Sequence, residues 1–400
     1  MTAPPMGKAG SMAVLVLAQV LVLSLWFISS ATMPGMLAEA AISPSRQALL
    51  SSGVQIGFVT GALVSAALGL ADRFDPRRLF CLCASLAALV NAALPALPPG
   101  GDLAIAARVL TGALLAGVYP VGMKIAAGWG TADRGFLVGL LVGALTLGSS
   151  LPHLLAGLGG ADWRGVVYLS AAAALLGGGL VLGAALGPHH ARAPGFSMGA
   201  IGLAWTDRRI RRAYAGYLGH MWELYALWAW MPAAAAASFA ARMDRAAAEG
   251  LATWVTFAAI GLGAVSAVWA GWGAGRLGKA NVALLAMAAS LLAGLATAAS
   301  FGGPWGLTAG LFVLWGITVI PDSAQFSALV ADAAPPHLAG SLMTLQTALG
   351  FLLTFVSVQL APVLAATLGW QVVLAALSIG PGLGIAAMWG LRERRGQGAG

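Results

Sequence analysis

Four ionisable residues, Arg108, His220, Glu223 and Asp322, interrupt long apolar segments of the chain. An ionisable side chain near the centre of a bilayer costs about 3 kcal/mol on insertion scales, so each is a candidate functional group. His220 and Glu223 are three residues apart and would share one face of a helix, where they can interact. A histidine beside a carboxylate can exchange a proton within the physiological pH range. The spacing predicts a proton-handling pair; the alternative is a structural hydrogen bond that fixes this helix to a neighbour.

Arg108 and Asp322 each leave two interpretations. Arg108 is placed to attract an anionic substrate or to pair with Glu223, and its long side chain can also extend to the membrane interface. Asp322 either lines a cavity or is a loop charge, if its helix ends near residue 321. The uncharged candidates for a central cavity are large side chains with hydrogen-bonding groups, and for each of them helix–helix contact is the alternative: Trp26, Gln55, Tyr119, Trp315 and Gln346.

The composition places these side chains in a membrane. Of the 400 residues, 60% are hydrophobic and 8% are charged, and the mean hydropathy is +0.87. A water-facing surface needs several times more charge, whereas a membrane helix needs about 20 apolar residues. An all-α membrane protein is therefore predicted, with twelve transmembrane segments that we call spans 1 to 12, at residues 12–30, 47–70, 79–97, 103–125, 136–157, 165–187, 213–238, 251–274, 281–300, 305–330, 340–365 and 369–391. For span 1, a signal peptide is the alternative.

The distribution of Lys and Arg predicts the orientation in the membrane. An even number of spans places both termini on one face. Of the 21 Lys and Arg residues, sixteen fall in the loops and tails of that face, four fall on the other face, and Arg108 lies within a span. Because Lys and Arg remain on the cytoplasmic side, both termini are predicted to be cytoplasmic, in a bacterial-type inner membrane. The run from Arg208 to Arg212 has no interleaved aromatic residues, so a nucleic-acid partner is not expected.

A polar segment in the middle of the chain divides the spans into six and six. The predicted organisation is a six-helix bundle over residues 1–187, a cytoplasmic loop over 188–212 and a second six-helix bundle over 213–400.

Short motifs recur at corresponding positions of the two halves. Val118-Tyr119-Pro120 in span 4 matches Val319-Ile320-Pro321 in span 10, and charged loops follow both span 2 and span 8. The matches keep their order at offsets of about 201 to 207 residues. Such an internal repeat predicts two pseudo-symmetric lobes.

The charged loops and span 4 carry a family resemblance. Asp72-Arg73 with Arg77-Arg78 resembles the signature loop between helices two and three of the major facilitator superfamily, although Asp75-Pro76 replaces the usual Gly. The second copy keeps Arg276-Leu-Gly278-Lys279 but has Gly275 where the family has Asp. In span 4, Arg108-Val-Leu-Thr-Gly112 resembles the helix-four Arg motif. The likeness covers nearly the whole chain.

The resemblance implies a fold and a gate. It implies twelve helices in two six-helix bundles around a central cavity, with alternating access by rocking of the two lobes. The gating loop would comprise Asp72, Arg73, Arg77 and Arg78, with Arg276 in the second copy. In the family the loop acid faces the start of helix eleven, which here is Gly340-Ser341, where a helix N-terminus favours negative charge.

The function predicted from these features is secondary active transport of a small solute, an organic or inorganic anion, coupled to protons. The alternative is efflux of amphipathic or cationic compounds, although Ser149 and His153 depart from the antiporter motif that span 5 otherwise resembles. A substrate-sensing receptor of the same fold stays open. No metalloprotease or nucleophile-elbow motif is present, so neither an enzyme nor a cofactor is expected. Cys81 and Cys83 are predicted to be packing residues, and a monomer is expected.

Overall fold

The computed structural model describes residues 6–131, 133–159, 162–190 and 197–392. Within these ranges the secondary structure is helical and contains no strand. Arg192, Arg394 and Arg395, which contribute to the predicted charge bias, lie outside the described residues.

In the described residues, helices occur at the positions of all twelve predicted spans and in the predicted order, so the fold class is confirmed. Eleven are long and apolar enough to cross a membrane. Span 7, the 32-residue helix Arg208–Phe239, is less apolar because it carries His220, Glu223 and several Tyr and Trp side chains. The helix bounds are Lys8–Glu39, Pro44–Leu68, Pro76–Ala96, Asp102–Ala127, Arg134–Gly159, Trp163–Gly183, Arg208–Phe239, Arg245–Leu277, Lys279–Ala299, Trp305–Ala333, Ala339–Leu368 and Trp370–Leu391.

Three predicted bounds differ from the structure by five residues or more, and one of them is the start of span 8, which lies six residues earlier at Arg245. Span 1 continues to Glu39, nine residues past its predicted end, because its helix resumes after a break instead of ending. Span 7 begins at Arg208, so Arg208–Arg212 are helical and not part of a loop. Asp207 caps this helix by accepting hydrogen bonds from the backbone N–H groups of Arg209 and Ile210.

Three of the described spans are interrupted by breaks of three or four residues, and span 12 is interrupted at a single residue, Ser378. Span 1 breaks between Leu23 and Ile28, span 4 between Leu115 and Tyr119, and span 10 between Thr318 and Ser323. A helix end leaves backbone groups without intrahelical partners, which must find other partners away from water. The breaks in spans 4 and 10 coincide with the repeated Val-x-Pro motifs, because proline lacks the N–H that would continue the helix.

The two halves, which we call the N-lobe (spans 1–6) and the C-lobe (spans 7–12), meet along spans 5 and 8 and along spans 2 and 11. At one end of the first contact, Gly139 faces Gly271 so closely that a Cβ atom on Gly271 would lie 3.1 Å from the Gly139 Cα. Small residues at such a contact let two helix backbones touch. We call the membrane face where spans 1 and 7 begin the terminal face, and the other the far face.

Candidate functional site

The break in span 10 brings a histidine and an acid together inside the C-lobe. His220 Nδ1 of span 7 lies 2.9 Å from Asp322 Oδ1, an ion-pair distance without hydrogen-bond alignment. The other ring nitrogen, Nε2, is 2.8 Å from Ser323 Oγ. His220 is 1% exposed and Asp322 2% exposed. Both nitrogens of the imidazole therefore face oxygen atoms in a dry environment.

The position of Asp322 decides between its two interpretations. Span 10 continues from the break to Ala333, so the interpretation as a loop charge is wrong. Asp322 immediately precedes the helical segment Ser323–Ala333. The positive end of the helix dipole favours a negative charge there.

Glu223 has different partners from His220. Its Oε1 accepts a hydrogen bond from Trp315 Nε1 at 2.7 Å, and its Oε2 accepts one from Ser290 Oγ at 2.9 Å. The carboxyl group is 1% exposed and joins spans 7, 9 and 10 within the C-lobe. The predicted direct pairing of His220 with Glu223 is therefore wrong, because each side chain points to its own partners although both lie on one helix.

Arg108 lies in the N-lobe and is fully buried. Its Nη2 donates to the carbonyl oxygens of Leu25 at 3.0 Å and Trp26 at 2.7 Å, and its Nη1 donates to Asn91 Oδ1 at 3.2 Å. The two carbonyls are those released by the break in span 1. The guanidinium thus stabilises the break and pairs neither with Glu223 nor with the interface, contrary to those two interpretations.

Six aromatic rings from both lobes pack together between the two lobes, and each is at most 5% exposed. Trp26 lies 5.7 Å from Tyr225 and 5.6 Å from Phe351 between ring centroids. We call this set the aromatic cluster; its members are Trp26, Phe27, Phe58, Tyr225, Trp228 and Phe351. The cluster fills the space between the lobes at this level with buried aromatic side chains.

A cavity of about 700 Å³ lies on the far-face side of the aromatic cluster. Its wall is formed by the second halves of spans 1 and 7 and the first turns of spans 2 and 8. Ser30 lies one turn beyond the cluster and donates a hydrogen bond to the Ala229 carbonyl at 2.7 Å, which links the lobes at the cavity floor. Polar side chains in the wall include Gln47, Ser51 and Thr253.

Several buried polar side-chain atoms in the described residues lack hydrogen-bond partners. The indole nitrogens of Trp26 and Trp228 make no hydrogen bond, and neither does either amide atom of Gln346. Gln55, by contrast, can donate to the Ser51 carbonyl of its own helix at 2.7 Å. Tyr119 is half-buried at the break in span 4, where its backbone carbonyl accepts from Gln19. Among the predicted cavity residues, Trp26 and Gln346 thus have unused hydrogen-bonding capacity.

The predicted gating loop makes contacts within the N-lobe. Asp72 forms an ion pair with Lys124 at the end of span 4. Arg77 binds Asp75 at 2.7 Å and donates to the Ala184 carbonyl at the end of span 6. The Arg77 hydrogen bond holds the pKa of Asp75 below its ordinary value. Arg73 and Arg78 are exposed.

The matching loop in the C-lobe has the opposite arrangement of charge. Lys279 follows span 8 and pairs with Asp332 at the end of span 10 at 2.5 Å. Arg276 stacks over the Trp272 ring at 4.2 Å. No group of three His, Cys, Asp or Glu residues suited to a metal ion occurs in the part of the chain that the structure describes.

Comparison with known proteins identifies the class. The model of the Major Facilitator Superfamily matches residues 15–358, so the chain belongs to this family of membrane transporters. Among proteins of curated function, none matches the sequence.

Solved structures share the fold. A mutant of the nucleoside transporter NupG has a TM-score of 0.73 at 14% identity, over 97% of this chain and 100% of that chain. The proton:xylose symporter XylE bound to 6-bromo-6-deoxy-D-glucose has a TM-score of 0.71 at 12% identity, over 97% of both chains. A partially occluded inward-open form of XylE from E. coli has a TM-score of 0.73 at 12% identity, over 96% of this chain and 99% of that chain.

Sequence reasoning missed the uncharged partners of the buried charges. Ser290 and Asn91 occupy corresponding places in spans 9 and 3, 199 residues apart, and each bonds the central ionisable group of its lobe. Their separation lies close to the repeat offset of about 201 to 207 residues but outside it, so the repeat offered only an approximate signal for them. Ser323 carries no such signal, because its contact with His220 depends on the break in span 10.

Proposed function

We propose that this protein is a proton-coupled secondary transporter whose coupling proton is carried by His220, Asp322 and Glu223. The observation that carries the proposal is the buried contact of His220 with Asp322 and Ser323 at the break of span 10. Burying two carboxylates and a histidine so close together favours at least one bound proton, because unpaired charge in a dry interior is strongly disfavoured.

The histidine gives the site two states. With the proton, an imidazolium faces the Asp322 carboxylate across 2.9 Å. Without it, the carboxylate relies on the amino end of the segment Ser323–Ala333 and on water that enters when the lobes move. Span 7 lines the cavity with its far-face half and carries His220 nearer the terminal face. Movement of span 7 thus links the cavity to the proton site.

We infer that the solute is small, polar and uncharged. The cavity volume is in the range of small-molecule sites. Among the described residues, the charged members of its wall are Arg245 and Glu249, which pair with each other at 2.7 Å and so offer no net charge to an ion. The named solutes of the similar structures, a nucleoside and xylose, are also polar ring compounds without a fixed charge.

An anion, the substrate favoured by the sequence, is the second candidate. It is supported by Arg108, a buried cation whose Nε makes no hydrogen bond. The neutral solute is preferred because the other two guanidinium nitrogens are occupied by span 1 and Asn91. Export of a cation has less support, because Glu223 and Asp322 already have partners in the C-lobe.

Uptake into proteoliposomes of the full chain tests the proposal. Xylose, uridine, lactate and a lipophilic amine are offered with and without an acid-outside gradient. We expect a neutral solute to accumulate only with the gradient, and a protonophore to abolish accumulation. Asp322→Asn should lose gradient-driven accumulation and keep solute exchange, whereas the control Asp102→Asn, at an acid that is 88% exposed in its side chain, should keep both. Accumulation by Asp322→Asn would contradict the coupling role.

The remaining expectations from the sequence are proposals of the same kind. We propose that the termini are cytoplasmic, that the protein resides in the inner membrane and that it works as a monomer with two lobes joined by the segment 188–207. In a Cys81→Ser/Cys83→Ser background, single cysteines placed at Lys8 and at Arg242 are tested with an impermeant thiol reagent on intact cells, and their accessibility distinguishes the two orientations.

A further inference from the structure

A short helix between the two lobes, Gly199–Thr206, has one apolar face turned outward. On this face Met198 is 71% exposed, Ile201 36% exposed and Trp205 51% exposed. These positions are three and four residues apart, so they form one stripe along the helix. Large apolar side chains left in water are unfavourable by roughly 25 cal/mol per Å² of surface, so such a stripe indicates a covering partner.

The opposite face fixes the helix to the C-lobe. Ala200 and Ala204 are fully buried and belong to one packed cluster with Tyr214 of span 7 and Leu342 of span 11. The backbone N–H of Ser197 donates to Ser341 Oγ at 2.9 Å. Because this packing sets the rotation of the helix, the direction of the apolar stripe is also set.

Basic side chains adjoin the stripe at the start of span 7. Arg208, Arg209 and Arg211 are exposed, and Arg211 Nη1 donates to the Trp205 carbonyl at 2.8 Å. The acid between the helix and these arginines, Asp207, is engaged as the cap of span 7. The surface therefore combines apolar side chains with an excess of positive charge.

The end of span 12 adds further aromatic and basic side chains to this surface. The Arg212 guanidinium packs over Gly390, and the Arg392 guanidinium lies 4.7 Å from the ring centre of Trp389. Trp389 is 54% exposed. Tryptophan with neighbouring arginine is the composition found where membrane helices meet the headgroup layer.

We propose that Gly199–Thr206 lies in the membrane interface on the terminal face, with its apolar stripe at the acyl boundary and the arginines of span 7 bound to anionic phospholipid headgroups. Interfacial helices bind through buried apolar area together with attraction between basic side chains and anionic lipid. The helix is joined directly to span 7, so it is already at the membrane surface. A lipid partner fits both the apolar and the charged part of this surface, and the inference is independent of the transported solute.

Spin labelling tests the position of the helix. In a Cys81→Ser/Cys83→Ser background, a label at Ile201→Cys is compared in lipid nanodiscs with one at Ala246→Cys, an exposed site in the first turn of span 8 on the far face. We expect the label at 201 to be more accessible to oxygen than to a water-soluble nickel reagent, and the label at 246 to show the reverse. Equal behaviour of the two labels would overturn the interfacial position.

Lipid retention tests the headgroup part. Native mass spectrometry of the protein from nanodiscs of mixed phosphatidylglycerol and phosphatidylcholine measures which lipid remains bound. The variant Arg208→Gln/Arg209→Gln/Arg211→Gln should lose about ten-fold or more of its phosphatidylglycerol preference, whereas Arg242→Gln, on the far face, should retain it. An unchanged preference in the triple variant would overturn anionic recognition. Protection of the label at 201 that increases with protein concentration would overturn lipid in favour of a second copy of the chain.

Discussion

In each lobe, the first, third and fourth helices form a hydrogen-bonded network around one ionisable residue. That residue is a base in the N-lobe and an acid in the C-lobe. In the N-lobe, Arg108 of span 4 donates to the backbone of span 1 and to Asn91 of span 3. In the C-lobe, Trp315 of span 10 and Ser290 of span 9 donate to Glu223 of span 7. Arginine remains protonated in proteins, whereas a buried carboxyl group can gain or lose a proton. Under the proposed function, the N-lobe therefore holds a fixed, structural charge and the C-lobe an exchangeable one.

The ion pairs at the loops of the terminal face show the same reversal of charge between the lobes. The N-lobe places the acid, Asp72, on the loop and the base, Lys124, at the end of span 4. The C-lobe places the base, Lys279, at the start of span 9, directly after the loop, and the acid, Asp332, at the end of span 10. Each pair ties a loop to the fourth helix of its lobe, so the bridged position is common to both lobes although the charges are reversed.

The largest effect on stability should come from the N-lobe charge. Arg108→Gln leaves the carbonyls of Leu25 and Trp26 without their donor, at a cost of about 3 kcal/mol in the free energy of unfolding. Thermal unfolding of purified protein and the folded yield measure this loss. Arg108→Lys should recover part of it, since the ammonium reaches fewer acceptors. Stability equal to the unmodified protein in Arg108→Gln would contradict a structural role.

The matching substitution in the C-lobe should separate stability from transport. Glu223→Gln keeps a side chain of the same shape whose amide oxygen still accepts from Trp315 or Ser290, so we expect a loss of unfolding free energy of about 1 kcal/mol or less. Proton-driven accumulation in proteoliposomes should nevertheless fall by about 100-fold, because the exchangeable proton is gone. Ser290→Ala, which keeps the acid, is the control. Undiminished proton-driven accumulation by Glu223→Gln would contradict an exchangeable proton on Glu223, and with it the proposed difference between the two lobes.

Double-mutant cycles should rank the two loop pairs. The side chains of Lys124 and Asp72 are 17% and 25% exposed, whereas those of Lys279 and Asp332 are 36% and 59% exposed. Less screening by water should give the N-lobe pair a coupling energy of about 1 kcal/mol and leave the C-lobe pair near zero. The cycles use Asp72→Asn with Lys124→Met, and Asp332→Asn with Lys279→Met, measured by thermal unfolding. A larger coupling energy for the C-lobe pair than for the N-lobe pair would contradict this ranking.

The smallest effect should be the pH dependence of the Asp75–Arg77 contact. Because the folded protein lowers the pKa of Asp75, the contact stabilises the folded state above the ordinary pKa of an aspartate and loses this contribution as the pH falls through the lowered value. Asp75→Asn should therefore cost less than about 1 kcal/mol at pH 7, and the difference from the unmodified protein should shrink on acidification. Thermal unfolding between pH 7 and pH 3 measures this. A difference that grows towards acid would have the wrong sign.

The candidate residues show where sequence reasoning reached its limit. The apolar spacing was enough to single out Arg108, His220, Glu223 and Asp322, since an ionisable group among apolar residues is conspicuous in any membrane helix. The partner of each group was not predictable, because one face of a helix contacts several neighbouring helices. His220 pairs across to the break in span 10, and not along its own helix to Glu223.

The chain by itself determined that there are twelve membrane helices in two repeats, because run length, Lys and Arg placement and the repeated Val-x-Pro motifs are all local properties of the sequence. Only the tertiary structure decided which partners surround the central ionisable group of each lobe. That outcome depends on the break in span 1, which has no proline to announce it, and on its two free carbonyls meeting Arg108. Contacts between helices distant in sequence set the surroundings of each charge, and those surroundings decide its chemistry.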